Sequence, residues 1–512
     1  MPGSGLWRTK SVERSIADTD EPDTKLRRNL STWDLTVFGV AVVIGAGIFT
    51  LTARTAGDLA GPSVALAFVL AAVACGLAAM CYAEFASTVP VAGSAYTFSY
   101  ATFGEFIAWI IGWDLVLELA VGAAAVSKGW STYLNTVLAY LFGFDSSAQT
   151  VTRVEVFGVT ADWGALLLVV VLAALLTLGT KLSSRVSMVI TAIKVGIVLF
   201  VIVLGLFYVK AANYTPFIPP ASAPTGDTGG GGVEQSLFSL IAGSEGSAFG
   251  AFGLLAGASL VFFAFIGFDI VATTAEETKN PQRSVPRGIL GSLSIVTVLY
   301  VAVALVLVGM VSYTQLATGV KADGTEDTKT LATAFSLNGV DWAAQIISIG
   351  ALAGLTTVVM VLMLGQTRVL FAMSRDGLLP RPLARSSSRG TPGRATLVVA
   401  LLVGVAATFF DAGQLEEMVN VGTLFAFVLV SAGVIVLRRT RPDLPRAFRV
   451  PWVPVLPVLA IAACLWLMVN LTVLTWLRFL AWMALGVVVY FVYSRRNSVL
   501  GKERESVGVG EK

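Results

Sequence analysis

The stretch that decides the fold is Ser259 to Gly288, SLVFFAFIGFDIVATTAEETKNPQRSVPRG. It begins as an apolar helix typical of a membrane span, but Gly267 and Asp269 interrupt that pattern. Backbone groups without partners in a bilayer cost several kcal/mol unless they line a cavity or are buried in protein. An ionisable residue at that depth also indicates a functional site. The sequence therefore predicts a break in the helix over residues 264–269.

A second interruption lies near the start of the chain, in VIGAGIF at residues 43–49. Paired interruptions in the two halves of a chain indicate the substrate site of a transporter. Backbone N–H groups around Ile44, Gly45, Ala46 and Gly47 suit a substrate carboxylate, at the positive end of the outer half-helix. Close packing of helices through small residues is the alternative interpretation.

The break in the later stretch predicts the complementary half of the site. Carbonyl groups freed at Phe263 and Ile266 suit an ammonium group, and Ala264 and Gly267 complete this binding segment. A carboxylate at one break and an ammonium group at the other is the pattern of an α-amino acid. Phe263 and Phe265 are bulky enough to close over a substrate as a gate, although they could instead pack inside the protein or face lipid.

Composition indicates a protein that spans a membrane many times. The chain has 512 residues, of which 56% are hydrophobic and 13% charged, whereas soluble domains carry about a quarter charged residues. It has no histidine, which excludes histidine metal sites and proton relays. Cys75, Cys81 and Cys464 lie in apolar runs, so we expect no disulfide framework. We expect neither an enzyme nor a nucleic-acid partner, because catalytic and metal-binding motifs are missing and the net charge is only +3.

About twelve charge-poor runs approach the roughly 20 residues that a membrane-spanning helix needs. They are 34–54, 62–86, 104–134, 163–180, 186–209, 250–275, 287–312, 342–372, 395–410, 416–437, 453–475 and 479–494.

The distribution of Lys and Arg between the connecting segments predicts that both termini are cytoplasmic. No cleavable signal is expected at the N-terminus. The outer segments 210–248 and 313–340 are long and polar, and are predicted to be surface loops. The predicted organisation is a cytoplasmic segment 1–30, a first repeat 31–209, an extracellular loop 210–248, a second repeat 249–438, two further helices 439–495 and a cytoplasmic tail 496–512.

Lys194 is the candidate for proton coupling. It lies about nine residues from the cytoplasmic end of its run, about 13 Å deep, where reaching the interface is awkward. Burial disfavours the charged form of a lysine, so such a group can load and release a proton. A static pair with an acid or with carbonyl groups is the alternative. Glu118 and Asp269 are possible cavity acids, and Asp269 is also placed to hold the inner half-helix.

Five blocks of sequence together resemble the amino acid–polyamine–organocation superfamily, and within it the bacterial relatives of the cationic amino acid transporter subfamily. The resemblance runs from about Leu30 to Arg496. The blocks are residues 43–49 (VIGAGIF), 82–96 (from YAEF to GSAY), 112–118 (GWD to Glu118), 263–283 (FAFIGFD, then EE and NPQR) and 368–380 (RVLFAMSRDGLLP).

This resemblance implies an all-α integral membrane protein with about twelve transmembrane helices and the leucine-transporter fold. In that fold, helices 1–5 and 6–10 form inverted repeats, helices 1 and 6 are broken and bind the substrate backbone, and two helices follow at the C-terminus. Lys194 matches the lysine that replaces the sodium ion in proton-driven relatives. Thr356 and Thr357, with carbonyl groups of Ala41 and Ile44, leave sodium coupling open as an alternative, although a charged lysine would repel the cation.

The resulting prediction is a secondary active transporter that imports L-amino acids across the cell membrane by proton symport, with alternating access and no cofactor. The substrate is either small and neutral, such as alanine, or cationic, such as arginine, lysine or ornithine. An amino acid exchanger of the same fold is the alternative, and a non-transporting amino acid sensor is a further one. The sequence does not show the oligomeric state or an accessory subunit.

Overall fold

The computed structural model describes residues 8–9, 30–89, 94–144, 150–156, 159–178, 184–221, 233, 235–243, 248–273, 275, 278–320, 326–385 and 392–502. Most of the predicted N-terminal segment, the centre of the 210–248 loop and the tail from residue 503 lie outside these ranges.

In the described part of the chain, twelve principal helices fall on the twelve predicted runs. They are α1 (Thr32–Val43), α2 (Val64–Thr88), α3 (Glu105–Phe142), α4 (Trp163–Leu178), α5 (Ser184–Gly205), α6 (Gly250–Val261), α7 (Pro281–Met310), α8 (Asp341–Arg375), α9 (Gly393–Phe409), α10 (Ala412–Thr440), α11 (Val455–Val469) and α12 (Val473–Val489).

Eight helical segments of the described chain are long and apolar enough to cross a membrane. One of them, Gly47–Thr88, joins the outer half of the first run to α2. Four further apolar helices, α1, α4, α9 and α11, are shorter. The helix α3 extends to Phe142, eight residues beyond the predicted run 104–134. It ends at Gly143, whose φ of 72° is the left-handed conformation common at helix ends.

The connections contain more regular structure than the sequence indicates. The strands β1 (Arg153–Val156) and β2 (Val159–Asp162) form an antiparallel hairpin between α3 and α4. The strands β3 (Gly319–Val320) and β4 (Glu326–Asp327) form a second hairpin, inside the predicted loop 313–340. A short helix, Leu331–Ser336, follows there and buries Leu331 and Phe335 completely. This loop is therefore partly packed against the bundle rather than only a surface excursion.

The contacts between helices repeat when each helix of the first half, α1 to α5, is exchanged with the helix whose number differs by five in the second half, α6 to α10. The helix α1 contacts α7, and correspondingly α6 contacts α2. In the same way, the contact of α5 with α8 matches that of α10 with α3, and the contact of α5 with α7 matches that of α10 with α2. The pairs α2–α7, α3–α8 and α4–α9 are each their own counterparts under this shift, and all three are in contact. Helices at corresponding positions in the two halves of the chain therefore have corresponding neighbours.

The helix α1 begins at a well-formed cap. The Ser31 hydroxyl accepts from the backbone N–H of Asp34, and the Asp34 carboxylate accepts from the backbone N–H of Ser31 at 2.9 Å. This capping box satisfies two N–H groups that the first turn leaves free. It fixes where α1 starts, and hence how many residues separate the cap from the first break.

Candidate functional site

The first predicted break is present. The helix α1 ends at Val43, and Ile44 is extended, with φ of −68° and ψ of 95°. The chain resumes at Gly47 with a π-helical turn, Gly47–Leu51, and reaches Ala60 through a short α-helical turn and a second π-helical turn. The interruption therefore lies at Ile44 and Gly45, inside the stretch 43–49.

The second break is built differently. The helix α6 tightens after Val261 into a 3₁₀ turn, Phe262–Phe265, and Ile266 is extended, with ψ of 138°. Gly267 follows with φ of 114°, a conformation that favours glycine. The chain becomes helical again at Ile270–Thr273. Asp269 directly precedes this inner half-helix, the position at which an acid caps a helix.

The two breaks pack directly against each other, and glycines make this possible. A Cβ atom on Gly47 would lie 2.2 Å from Cα of Ala264. A Cβ atom on Gly267 would lie 2.8 Å from Cγ1 of Val42. Carbon atoms normally approach no closer than about 3.5 Å. The sequence therefore needs glycine at both positions for the broken segments to meet.

Side chains from other helices donate hydrogen bonds to carbonyl groups of the first broken helix. The Tyr300 hydroxyl of α7 donates to the Val43 carbonyl at 2.7 Å. The Lys194 ammonium of α5 donates to the Ala41 carbonyl at 2.7 Å. The Tyr133 hydroxyl of α3 donates to the Phe49 carbonyl at 2.7 Å. Three different helices therefore hold this segment, on both sides of its break.

The sixth helix is held in the same way by α10. The Asn420 side-chain amide donates to the carbonyl groups of Ser259 at 2.8 Å and Leu260 at 3.3 Å. The Ser259 hydroxyl in turn donates to the Leu467 carbonyl of α11 at 2.9 Å. These contacts fix the last turn of α6 before its break.

A cavity lies between the breaks. It measures about 30 Å³, which is room for about two water molecules. Of the predicted substrate-binding residues, Gly45, Ala46, Gly47, Phe263 and Ile266 line it. The rest of the described lining is mainly aliphatic, and its acidic residue is Glu118 of α3. It comes from α1, α3, the inner half-helix, α8 and α10, and its other members are Val42, Val43, Leu119, Gly122, Val126, Ile270, Val358, Leu362 and Val419.

Other predicted residues lie beside the cavity rather than in its lining. Ile44 is fully buried, Ala264 contacts the first break, and Gly267 contacts α1. Phe265 is fully buried and packs against the rings of Phe68 and Tyr300, at centroid distances of 6.1 and 5.4 Å. Of the two predicted gate residues, the structure places Phe263 at the cavity and Phe265 in an aromatic cluster behind it.

The acidic residues of this region belong to two elements. Asp114 and Glu118 lie one turn apart on α3 and are buried. Neither carboxylate oxygen of Asp114 has a hydrogen-bond partner within the described residues. A Cβ atom on Gly422 of α10 would lie 2.9 Å from Oδ1 of Asp114 and 3.9 Å from Cβ of Glu118. Asp269 is also buried, and its Oδ1 has no hydrogen-bond partner among the described residues.

Lys194 is enclosed between α1 and α8. Only 1% of its surface is exposed, and no acid pairs with it among the described residues. A Cβ atom on Gly354 would lie 3.0 Å from the Lys194 Cγ, so this glycine makes room for the stem of the lysine. The hydroxyl groups of Thr356 and Thr357 donate to carbonyl groups of their own helix, both at 2.7 Å.

Sequence analysis missed Tyr133, Tyr300 and Asn420. Each interrupts an apolar helix with a polar group, and a buried polar tip needs a hydrogen-bond partner. That signal was available in the sequence. It does not say which carbonyl group is the partner, because the partner lies on a distant segment in every case.

Comparison with known proteins gives a consistent result. A family model described as amino acid permease matches residues 30–493. The branched-chain amino acid permease BcaP of Bacillus subtilis is 43% identical over 505 residues, covering 98% of this chain and all of the relative. A methylthioribose transporter of the same organism is 41% identical with the same coverage. The vacuolar cationic amino acid transporter 4 of Arabidopsis thaliana is 36% identical over 86% of this chain and 68% of the relative.

Proposed function

Since the chain belongs to the amino acid permease family, we propose that it imports L-α-amino acids across the cell membrane by proton symport. Its relatives are permeases, and it is a multi-pass membrane transporter rather than an enzyme. The observation that carries the proposal is the meeting of two helix breaks at one cavity. Helix breaks at membrane depth present backbone N–H and carbonyl groups to a small charged solute.

The proposed architecture is the leucine-transporter fold with both termini cytoplasmic. The repetition of helix contacts after a shift of five supports the inverted repeat. Alternating access would then arise from movement of α1, α2, α6 and α7 against the other helices. The cavity of about 30 Å³ is smaller than an amino acid, so substrate entry requires the two breaks to separate.

The proposed substrates are neutral amino acids with aliphatic side chains. Most of the side chains that line the cavity are aliphatic, and Glu118 is the acidic member of the lining. Two relatives are named branched-chain amino acid permeases, at 43% and 35% identity. Cationic amino acids are the second candidate, favoured by Glu118 and by the relatives named cationic amino acid transporters.

Lys194 is the proposed coupling group. Its ammonium nitrogen lies 2.7 Å from the Ala41 carbonyl, one of the groups that the sodium alternative would need. An ammonium group and a sodium ion repel each other there. If a proton binds more tightly to one conformation of the protein than to another, it shifts the equilibrium toward the first conformation. The size of that shift is limited by the difference between the two affinities.

Uptake by proteoliposomes tests the proposal. Purified protein is reconstituted, and uptake of labelled leucine, alanine and arginine is measured with an inward proton gradient, with a sodium gradient and with neither. We expect leucine uptake driven by the proton gradient and lost in Lys194→Ala. Uptake only into vesicles preloaded with amino acid would identify an exchanger, and uptake that follows the sodium gradient would contradict the role given to Lys194.

A further inference from the structure

A basic pocket lies at the end of the bundle where the two ends of the described chain meet. It measures about 320 Å³ and is lined by residues from both ends. Four of the described side chains that line it are cations, and no acid is among those described residues. The lining residues are Arg8, Phe491, Arg495, Arg496, Ser498, Gly501 and Lys502.

Specific contacts hold this pocket together. The backbone N–H of Glu105, at the start of α3, donates to the Arg8 carbonyl at 2.9 Å. The Ser498 hydroxyl donates to the Glu105 carboxylate at 2.5 Å and accepts from the backbone N–H of Gly501. A Cβ atom on Gly501 would collide with the Arg8 guanidinium, 1.9 Å away. The N-terminal arginine therefore lies directly on the C-terminal segment.

Within the described residues, none of the four cations of this pocket, Arg8, Arg495, Arg496 and Lys502, forms an ion pair. The nearby Glu105 carboxylate accepts hydrogen bonds from Tyr100, Tyr490 and Ser498. Basic residues collect at the cytoplasmic ends of membrane helices in general, but that tendency does not require four of them to line one cavity. Like charges gathered in a cavity favour the binding of an anion.

The position of the pocket indicates which anion. Phe491 lies one turn before Arg495, at the end of the last membrane-spanning segment, and is 42% exposed. The pocket therefore combines an apolar side chain of this segment with guanidinium and ammonium groups. One guanidinium group can donate two parallel hydrogen bonds to the oxygens of a phosphate. Basic pockets at the membrane face bind lipid headgroups. From this combination we propose that the pocket binds the phosphate of an anionic phospholipid headgroup.

Lipid retention in native mass spectrometry tests the proposal. Purified protein in neutral detergent is mixed with phosphatidylglycerol or phosphatidylcholine of the same acyl chains. We expect one phosphatidylglycerol to be retained preferentially, and the double variant Arg8→Gln/Lys502→Gln to weaken that retention by about tenfold. The matched control is Arg385→Gln/Arg439→Gln, which removes two exposed charges elsewhere at the same end of the bundle and should retain the lipid as the wild type does.

Three results would overturn the proposal. Equal retention of the two lipids by the wild type would remove the headgroup preference. An equal loss in the control variant would show that total charge, and not the pocket, attracts the lipid. Displacement of the bound lipid by inorganic phosphate at no more than the concentration of the lipid would assign the pocket to a soluble anion. If Arg8→Gln/Lys502→Gln does not fold, Arg495→Gln/Arg496→Gln removes the same charge from the same pocket and decides the question.

Discussion

Replacing Gly47 by alanine tests whether the direct contact between the two breaks is required. The added Cβ atom would lie 2.2 Å from Cα and 2.4 Å from Cβ of Ala264. The two segments would have to separate by about 1.3 Å to restore normal carbon contacts. Because the nearest atom belongs to the backbone, no side-chain rotation relieves the collision. We expect a destabilisation of about 3 kcal/mol, the upper part of the usual range for overpacking.

The variant is assayed by thermal unfolding in detergent and by uptake in proteoliposomes. We expect Gly47→Ala to lower Tm and to reduce uptake by at least about tenfold, because the contact lies at the cavity. The control is Gly365→Ala on α8, where the new Cβ atom would lie 3.8 Å from its nearest neighbour in Leu119. Removing a glycine from a helix there should be neutral or stabilising by up to about 1 kcal/mol. If Gly47→Ala keeps the Tm and uptake of the wild type, the segments are not held as closely as described.

Three further substitutions test other contacts. Tyr300→Phe leaves the buried Val43 carbonyl without its donor, so we expect a loss of about 1–3 kcal/mol in thermal unfolding. Gly122→Val adds bulk to the cavity lining, and we expect it to raise the KM for leucine about tenfold more than that for alanine in uptake assays. Glu84→Gln removes the charge that receives two hydrogen bonds from Arg438, at 2.8 and 2.6 Å; we expect a loss of about 2 kcal/mol in thermal unfolding.

Matched controls separate these effects from general damage. Tyr214→Phe is the control for Tyr300→Phe, because it too removes a hydroxyl that donates to a backbone carbonyl, in this case one of α7. This hydrogen bond is exposed, so its loss should cost well under about 1 kcal/mol. Asp443→Asn breaks an exposed ion pair with Arg441 and should be nearly neutral. If either control loses as much stability in thermal unfolding as the buried substitution it is matched to, the stability effects do not depend on burial and the reasoning is wrong. Equal KM changes for leucine and alanine in Gly122→Val would contradict the proposed side-chain pocket.

The sequence predicted the positions of both breaks because their cause is local. Gly45, Gly47 and Gly267 lie in apolar runs and stabilise a helix poorly. Asp269 follows the last of them and places an ionisable group at membrane depth. The same local reasoning located the twelve helical runs. It did not locate the two hairpins, because strands as short as β3 and β4, of two residues each, leave no periodic pattern.

The partners of the breaks were not predictable because they depend on tertiary contacts. Tyr300 lies 257 residues from the carbonyl group it binds, and Asn420 lies 161 residues from Ser259. Phe263 and Phe265 illustrate the same limit within one turn. The two rings look equivalent in the sequence, but only Phe263 is among the residues that line the cavity. Which face of a distorted helix meets the cavity depends on how the 3₁₀ turn rotates it.

The hydrogen bonds to the first broken helix give the proposed motion a direction. The helix α7 carries Tyr300 and would move together with α1, so the bond to Val43 is expected to survive. Lys194 and Tyr133 belong to helices of the other group, so their bonds to Ala41 and Phe49 must change when the groups separate. A hydrogen bond from a charged donor contributes about 1.5–3 kcal/mol, or roughly 10–150-fold in an equilibrium constant. Protonated Lys194 should therefore favour the conformation in which α1 lies against α5, and loss of that proton should favour separation.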